Sequence, residues 1–127
     1  MAVFGDFEAV IVKDLVLNEG NDQSSIVKFG TGGRRTGPAL GGEGALCMLD
    51  YSWAAIGTDA ALVFINDQLI GTIRATDNKQ HAGRILAFAG SVLKDGALAN
   101  TFRIDIDSPN PNLQLTLHTV VVFFHQG

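Results

Sequence analysis

Apolar and polar residues alternate with a period of two along much of this chain. No stretch repeats apolar residues at i, i+3, i+4 and i+7 over three turns, so strands rather than helices are expected throughout. The cleanest case is Phe102, Ile104 and Ile106 against Arg103, Asp105 and Asp107, the pattern of a half-buried strand. Leu113, Leu115 and Leu117 likewise alternate with Gln114, Thr116 and His118, and the same run ends in Val120–Phe124, apolar on both faces. Residues 3–17 read as one long strand or two collinear short ones. Val3, Phe7, Ala9, Ile11, Leu15 and Leu17 are expected on one face, with Asp6, Glu8 and Asp14 on the other. Val10 and Val12 make the middle of that run apolar on both sides, as where a second layer or a neighbouring subunit covers it.

Turn residues divide the rest. Glu19-Gly20-Asn21-Asp22 precedes a short strand at Ser24–Phe29. A loop over 30–44 then holds seven of the chain's fifteen glycines together with Arg34, Arg35 and Pro38. Ala45–Ile56 resumes strand character, with Cys47, Leu49, Tyr51 and Trp53 alternating against Asp50 and Ser52. Ala61–Ile65 and Leu69–Ala75 flank Asn66-Asp67-Gln68 as a β-hairpin, because Asn and Asp tolerate positive φ. Asp77–Gln80 forms a polar turn, Arg84–Leu93 a strand with a bend at Gly90, and Lys94-Asp95-Gly96 another turn. Eight to nine strands at roughly ten-residue spacing, with no internal repeat, indicate an all-β chain folded as an antiparallel β-sandwich, in one domain spanning 1–127.

Two segments carry a family likeness. Leu62-Val63-Phe64-Ile65-Asn66-Asp67-Gln68-Leu69-Ile70-Gly71 reads as a strand, an Asn-led turn and a returning strand with an exposed glycine. Leu93-Lys94-Asp95-Gly96-Ala97-Leu98-Ala99-Asn100 then launches the amphipathic strand Thr101–Ile106. Over residues 60–125 the chain therefore resembles the galactose-binding-like jelly rolls of carbohydrate-binding modules, which are also appended to glycosidases. It departs from them at Asp67, where the family has glycine, and in a longer interval from Gly96 to Asn100. The resemblance implies a jelly-roll-like sandwich and carbohydrate as the ligand class.

Composition narrows the function classes. The hydrophobic fraction is 46% and the charged fraction 17%, so few polar residues are available to cover the surface, and a homo-oligomeric interface is expected. A net charge of −4 argues against a nucleic-acid partner, since phosphate contacts need a basic face. Cys47 is the single cysteine, which excludes an intrachain disulfide, and its apolar neighbours suggest a buried, inert thiol. No run approaches the roughly 18–20 apolar residues of a membrane-spanning helix. Asp6 and Glu8 interrupt any secretory h-region. The expectation is a chain with no signal peptide, no membrane partner and a cytoplasmic or virion-associated location.

No active site is readable, and neither a cofactor nor a metal is expected. His81 falls in a polar turn, while His118 and His125 are seven apart and point to opposite faces of a regular strand. Asp105 and Asp107 share a face and could hold calcium or act as paired carboxylates. Pairing of Arg103 with a neighbouring acid is the simpler reading. The glycine-rich segment lacks the spacing of a phosphate-binding loop, although Arg34-Arg35 could grip an anion. Serine chemistry lacks a Gly-x-Ser-x-Gly motif or a supporting His and Asp context. The expectation is a non-catalytic binding module with loop residues Arg34, Arg35, Asp77, Asn78 and Lys79 at the ligand. Trp53 would join them on condition that it is exposed, since core packing is its other reading. The alternative is a structural or assembly subunit, such as a virion decoration or tail-type protein, acting through a homo-oligomeric interface at Val120–Phe124 or Val10–Val12.

Overall fold

The computed structural model describes residues 4–18, 24–30, 44–53, 60–74, 81–94, 98–107 and 114–126. Most of the glycine-rich segment (31–43) and the turn expected at 77–80 lie outside the described residues. Nine strands form among the described residues: β1 (Phe4–Ile11), β2 (Leu15–Asn18), β3 (Ser24–Phe29), β4 (Gly44–Trp53), β5 (Ala60–Ile65), β6 (Gln68–Arg74), β7 (His81–Ala89), β8 (Asn100–Asp107) and β9 (Gln114–Gln126). One sheet has the order β1-β9-β4-β7, with β2 also paired to β9, and the other has β3-β8-β5-β6. Every pairing is antiparallel. Only the β1–β2 and β5–β6 connections stay within one sheet; elsewhere the chain crosses to the other layer, giving the all-β sandwich expected from the turn spacing.

The two inner faces supply the core. Alternate residues of β4 (Ala45, Cys47, Leu49, Tyr51, Trp53) meet those of β5 (Ala61, Val63, Ile65) and β8 (Phe102, Ile104, Ile106) in one buried cluster. Burial of each large aliphatic or aromatic side chain there contributes about 1.5–3 kcal/mol relative to exposure. In these three strands the period-two pattern holds without interruption.

It does not hold in β9 or β1. Leu115 and Leu117 are buried, but so are Val120, Val122 and Phe124, so the inward set changes parity between them. The cause is a β-bulge: Tyr51 pairs with Leu117 and Asp50 with Thr119, which leaves His118 as the extra residue. A matching irregularity in β1 pairs Ala9 with Val121 and Ile11 with Val120, skipping Val10. Ile11 consequently faces the core, while Phe7 is 59% exposed and Ala9 is also exposed, so the shared face expected for these three residues is corrected. A slip of one residue turns every side chain on the far side of the bulge to the other face.

The hairpin and the entry to β8 are tied by one polar cluster. Ile65 pairs with Gln68, so the turn is the two residues Asn66 (φ 51°) and Asp67 (φ 64°), one shorter than expected. Asn66 Nδ2 donates to the Val92 carbonyl (2.7 Å) and to Asn100 Oδ1 (2.8 Å), and its Oδ1 accepts the Thr101 N–H (2.9 Å). Asn100 accepts the Lys94 N–H and donates to the Lys94 carbonyl, both at 2.8 Å. Asn100 is fully buried. The bend anticipated at Gly90 is a single 3-10 turn, Gly90–Val92, which delivers Leu93 and Lys94 to this cluster. Gly71, expected to be exposed, is half-buried against the other sheet, and a Cβ there would stand 2.6 Å from Leu86 Cδ2.

Replacing the fully buried Asn100 by Ala removes three hydrogen bonds, with the Lys94 N–H, the Lys94 carbonyl and the Asn66 amide. Each such bond contributes about 0.5–1.5 kcal/mol, so Asn100→Ala is expected to destabilise the fold by about 3 kcal/mol. Equilibrium urea unfolding checks this, with a lowered midpoint and an unchanged slope as the expected result.

Candidate functional site

The outward face of the five-stranded sheet divides into two halves. At one end the register lines up Phe7, Phe123, Leu46 and Ala87 across β1, β9, β4 and β7, and the next row is Ala9, Val121, Met48 and Ile85. These eight residues include no charge and no hydrogen-bonding side chain. Phe7, Leu46 (43%) and Ile85 (62%) are well exposed, and Met48 and Phe123 also reach the surface. The Phe7 and Phe123 rings lie 6.1 Å apart between centroids with their planes tilted by 42°. Single exposed apolar residues are ordinary, but a contiguous block on a rigid sheet marks a surface that meets something.

Beyond the bulge the same face turns polar. Asp50 pairs with Thr119 and Ser52 with Thr116, all directed outward between buried neighbours. Because His118 is the extra residue, it stays on this outward side next to Thr119 instead of entering the core. The gap between β1 and β2 lies at the same height, since β9 pairs with Ile11 at Val120 and with Leu15 at Leu117. Asp14, in that gap, accepts a hydrogen bond from His118 Nδ1 at 2.9 Å. Ser52 Oγ lies 3.0 Å from His118 Nε2. A carboxylate can only accept, so in the neutral ring the proton sits on Nδ1 and Nε2 accepts from the Ser52 hydroxyl. The His118 side chain is 18% exposed and Asp14 65%. Three segments therefore contribute one ordered Asp14–His118–Ser52 chain of hydrogen bonds.

The residues singled out from sequence fall differently. Arg34, Arg35, Asp77, Asn78 and Lys79 lie outside the described residues. Trp53 is 2% exposed, because it shares the inward face of β4 with Leu49 and Tyr51, and this removes it from any docking surface. Its indole N–H has no acceptor among the described residues. Burial pushes the Tyr51 hydroxyl above its ordinary range, partly offset by the Arg84 charge, and pushes the Cys47 thiol up to about 12. Asp105 pairs with Arg103 Nε at 3.4 Å and accepts from Ser24 Oγ. Arg103 also pairs with Asp67 at 3.1 Å and lies 4.1 Å over the Phe64 ring, so it is the neutralising partner expected for this strand face. His81, expected in a turn, opens β7 opposite Ser52. No group of three metal-ligating side chains occurs among the described residues. The relation of Asp14, Ser52 and His118 has no signal in the sequence, since it joins positions 66 and 104 residues apart through a bulge.

No family model and no curated protein matches the sequence. Solved structures do match in fold. Latent PorU from Porphyromonas gingivalis superposes with a TM-score of 0.66 at 12% identity over 99% of this chain, which spans 13% of PorU. The CBM36-1 domain of a multidomain xylanase, from the hindgut metagenome of Trinervitermes trinervoides, gives 0.59 at 10% identity, covering 98% of this chain and 99% of that domain. A family 29 carbohydrate-binding module gives 0.55 at 15% identity over 98% and 90%. The chain thus has the β-sandwich of carbohydrate-binding modules, and the likeness extends over nearly all of it rather than over residues 60–125 alone.

The Cys47 environment yields a direct check. At pH 8 a thiol raised to about 12 holds roughly a thousandfold less thiolate than an unperturbed one. Native protein is expected to react with an aromatic disulfide reagent more than a hundredfold slower than glutathione, and denatured protein to titrate one thiol per chain.

Proposed function

We propose that this domain binds carbohydrate on the outward face of its five-stranded sheet. The observation that carries the reading is the exposed Phe7–Phe123 pair at one end of a face whose other end presents Asp50, Ser52, Thr116, His118 and Thr119. A pyranose ring has apolar C–H faces and a rim of hydroxyls. It is matched by aromatic carbon beside a row of donors and acceptors, on a scaffold that costs little to order. The modular neighbours with the same sandwich, one of them a domain of a xylanase, support the ligand class. The loop residues Arg34, Arg35, Asp77, Asn78 and Lys79 are not needed for this reading.

Phe7→Ala and Phe123→Ala are each expected to weaken glycan binding tenfold or more by calorimetry, after a glycan array has identified the sugar. Phe7→Ala should leave thermal stability nearly unchanged, because that ring is mostly in water. Absence of any glycan binding at millimolar concentration would sink the proposal, as would full affinity in both variants.

The eight-residue apolar block also favours a second reading, a homo-oligomer closed through the same face. It retains Val121 and Phe123 of the interface expected at Val120–Phe124, whereas Val120, Val122 and Phe124 are buried within the chain itself. Light scattering at micromolar concentration decides it: a dimer that Ile85→Lys dissociates supports the second reading, and a monomer removes it.

A further inference from the structure

The polar half of the face contains an arrangement that sugar binding does not require. Ser52 Oγ, His118 Nε2, His118 Nδ1 and Asp14 Oδ1 are linked at 3.0 and 2.9 Å, in the order that prepares a hydroxyl for attack. The order matters more than the proximity. With Nδ1–H held by a carboxylate, the neutral ring turns its Nε2 lone pair toward Ser52 Oγ, 3.0 Å away, which is the tautomer a general base must have. Each member is fixed by a different element, Asp14 by the β1–β2 gap, Ser52 by the last turn of the β4 pleat and His118 by the β9 bulge. Both Ser52 and His118 are half-buried, so the sheet limits competition from water while leaving the hydroxyl reachable from the outward face. Thr116, directly opposite Ser52 in the ladder, places a second hydroxyl on the same row, with Cβ atoms about 4.5–5.5 Å apart.

We infer that Ser52 is an activated nucleophile for acyl transfer, with His118 as general base and Asp14 as its positioning residue, acting on carboxylic esters. Ser52 Oγ adds to the ester carbonyl carbon while its proton passes to His118 Nε2. The tetrahedral adduct collapses, the carbon–oxygen bond to the leaving alcohol breaks, and that alkoxide takes the proton back from Nε2. Water then attacks the acyl-Ser52 carbonyl, giving its proton to Nε2. Release of the carboxylic acid returns that proton to Ser52 Oγ, so the cycle consumes one ester and one water. The Thr116 hydroxyl supplies the donor for the transient oxyanion. Asp14 is well exposed, so its contribution is orientation of the ring more than buried charge.

The test is covalent and does not depend on whether the domain binds sugar. Native protein is treated at pH 8 with a fluorophosphonate, and the adduct is mapped by mass spectrometry. In parallel, 4-nitrophenyl acetate is followed for a burst of nitrophenolate. One adduct per chain on Ser52 is expected, absent in Ser52→Ala, formed about a hundredfold more slowly in His118→Gln and about tenfold more slowly in Asp14→Asn. Ser52→Cys gives an independent readout. Its thiol should take iodoacetamide at least tenfold faster than the same variant carrying His118→Gln, and buried Cys47 does not compete. No adduct on Ser52, an adduct rate indifferent to His118, or equal alkylation of the two cysteine variants would overturn the inference. If glycan binding fails and the Ser52 adduct forms, this inference stands and the carbohydrate reading falls.

Discussion

One extra residue in β9 governs the rest of this sandwich. Before His118 the odd-numbered leucines of β9 point inward, and after it Val120, Val122 and Phe124 do. A regular strand of that length would have to expose one set or bury the other's polar neighbours. The bulge lets β9 fill the core along its whole length while remaining paired to β4. It also fixes where the opposite edge breaks, because the β1–β2 gap stands level with it. The geometry that makes the core continuous is thus the same geometry that puts His118 and Thr119 side by side on the outward face, within reach of Asp14.

Much of the fold could be read from the sequence because most strands obey strict alternation. In β4, β5 and β8 each buried residue follows the last by two, and the turn at Asn66-Asp67 is written in residues that accept positive φ. The sandwich, the hairpin and the core role of Cys47 were accessible on those grounds. The faces of β1 were not, since the parity change at Val10 depends on the register of a strand at the other end of the chain. The site was less accessible still. Trp53 stood out by rarity and proved to be packing, whereas Ser52, His118 and Asp14 are unremarkable until a bulge and a gap bring them together.

The two outward faces contrast. On the four-stranded sheet, Arg103 covers the Phe64 ring and balances Asp67 and Asp105, so aromatic carbon and carboxylates there are already engaged. On the five-stranded sheet, Phe7, Leu46 and Ile85 present carbon to solvent. A sheet interior is a stiff support, and its pleat fixes side chains about 6.8 Å apart along a strand without requiring a loop to order on contact. Recognition on such a face gains from rigidity rather than from closure.

The central position of β9 has a consequence for how the chain reaches this state. β9 lies between β1 and β4, and its ladder to β1 joins residues more than a hundred apart in sequence, Phe4 with Gln126 among them. During synthesis the facing edges of β1 and β4 have no partner in this sheet until the last strand has emerged. Non-local pairing of this kind closes slowly, and an unpaired edge rich in Phe, Leu and Met is prone to pair with another copy meanwhile. The nascent domain is therefore at its most vulnerable just before it is complete.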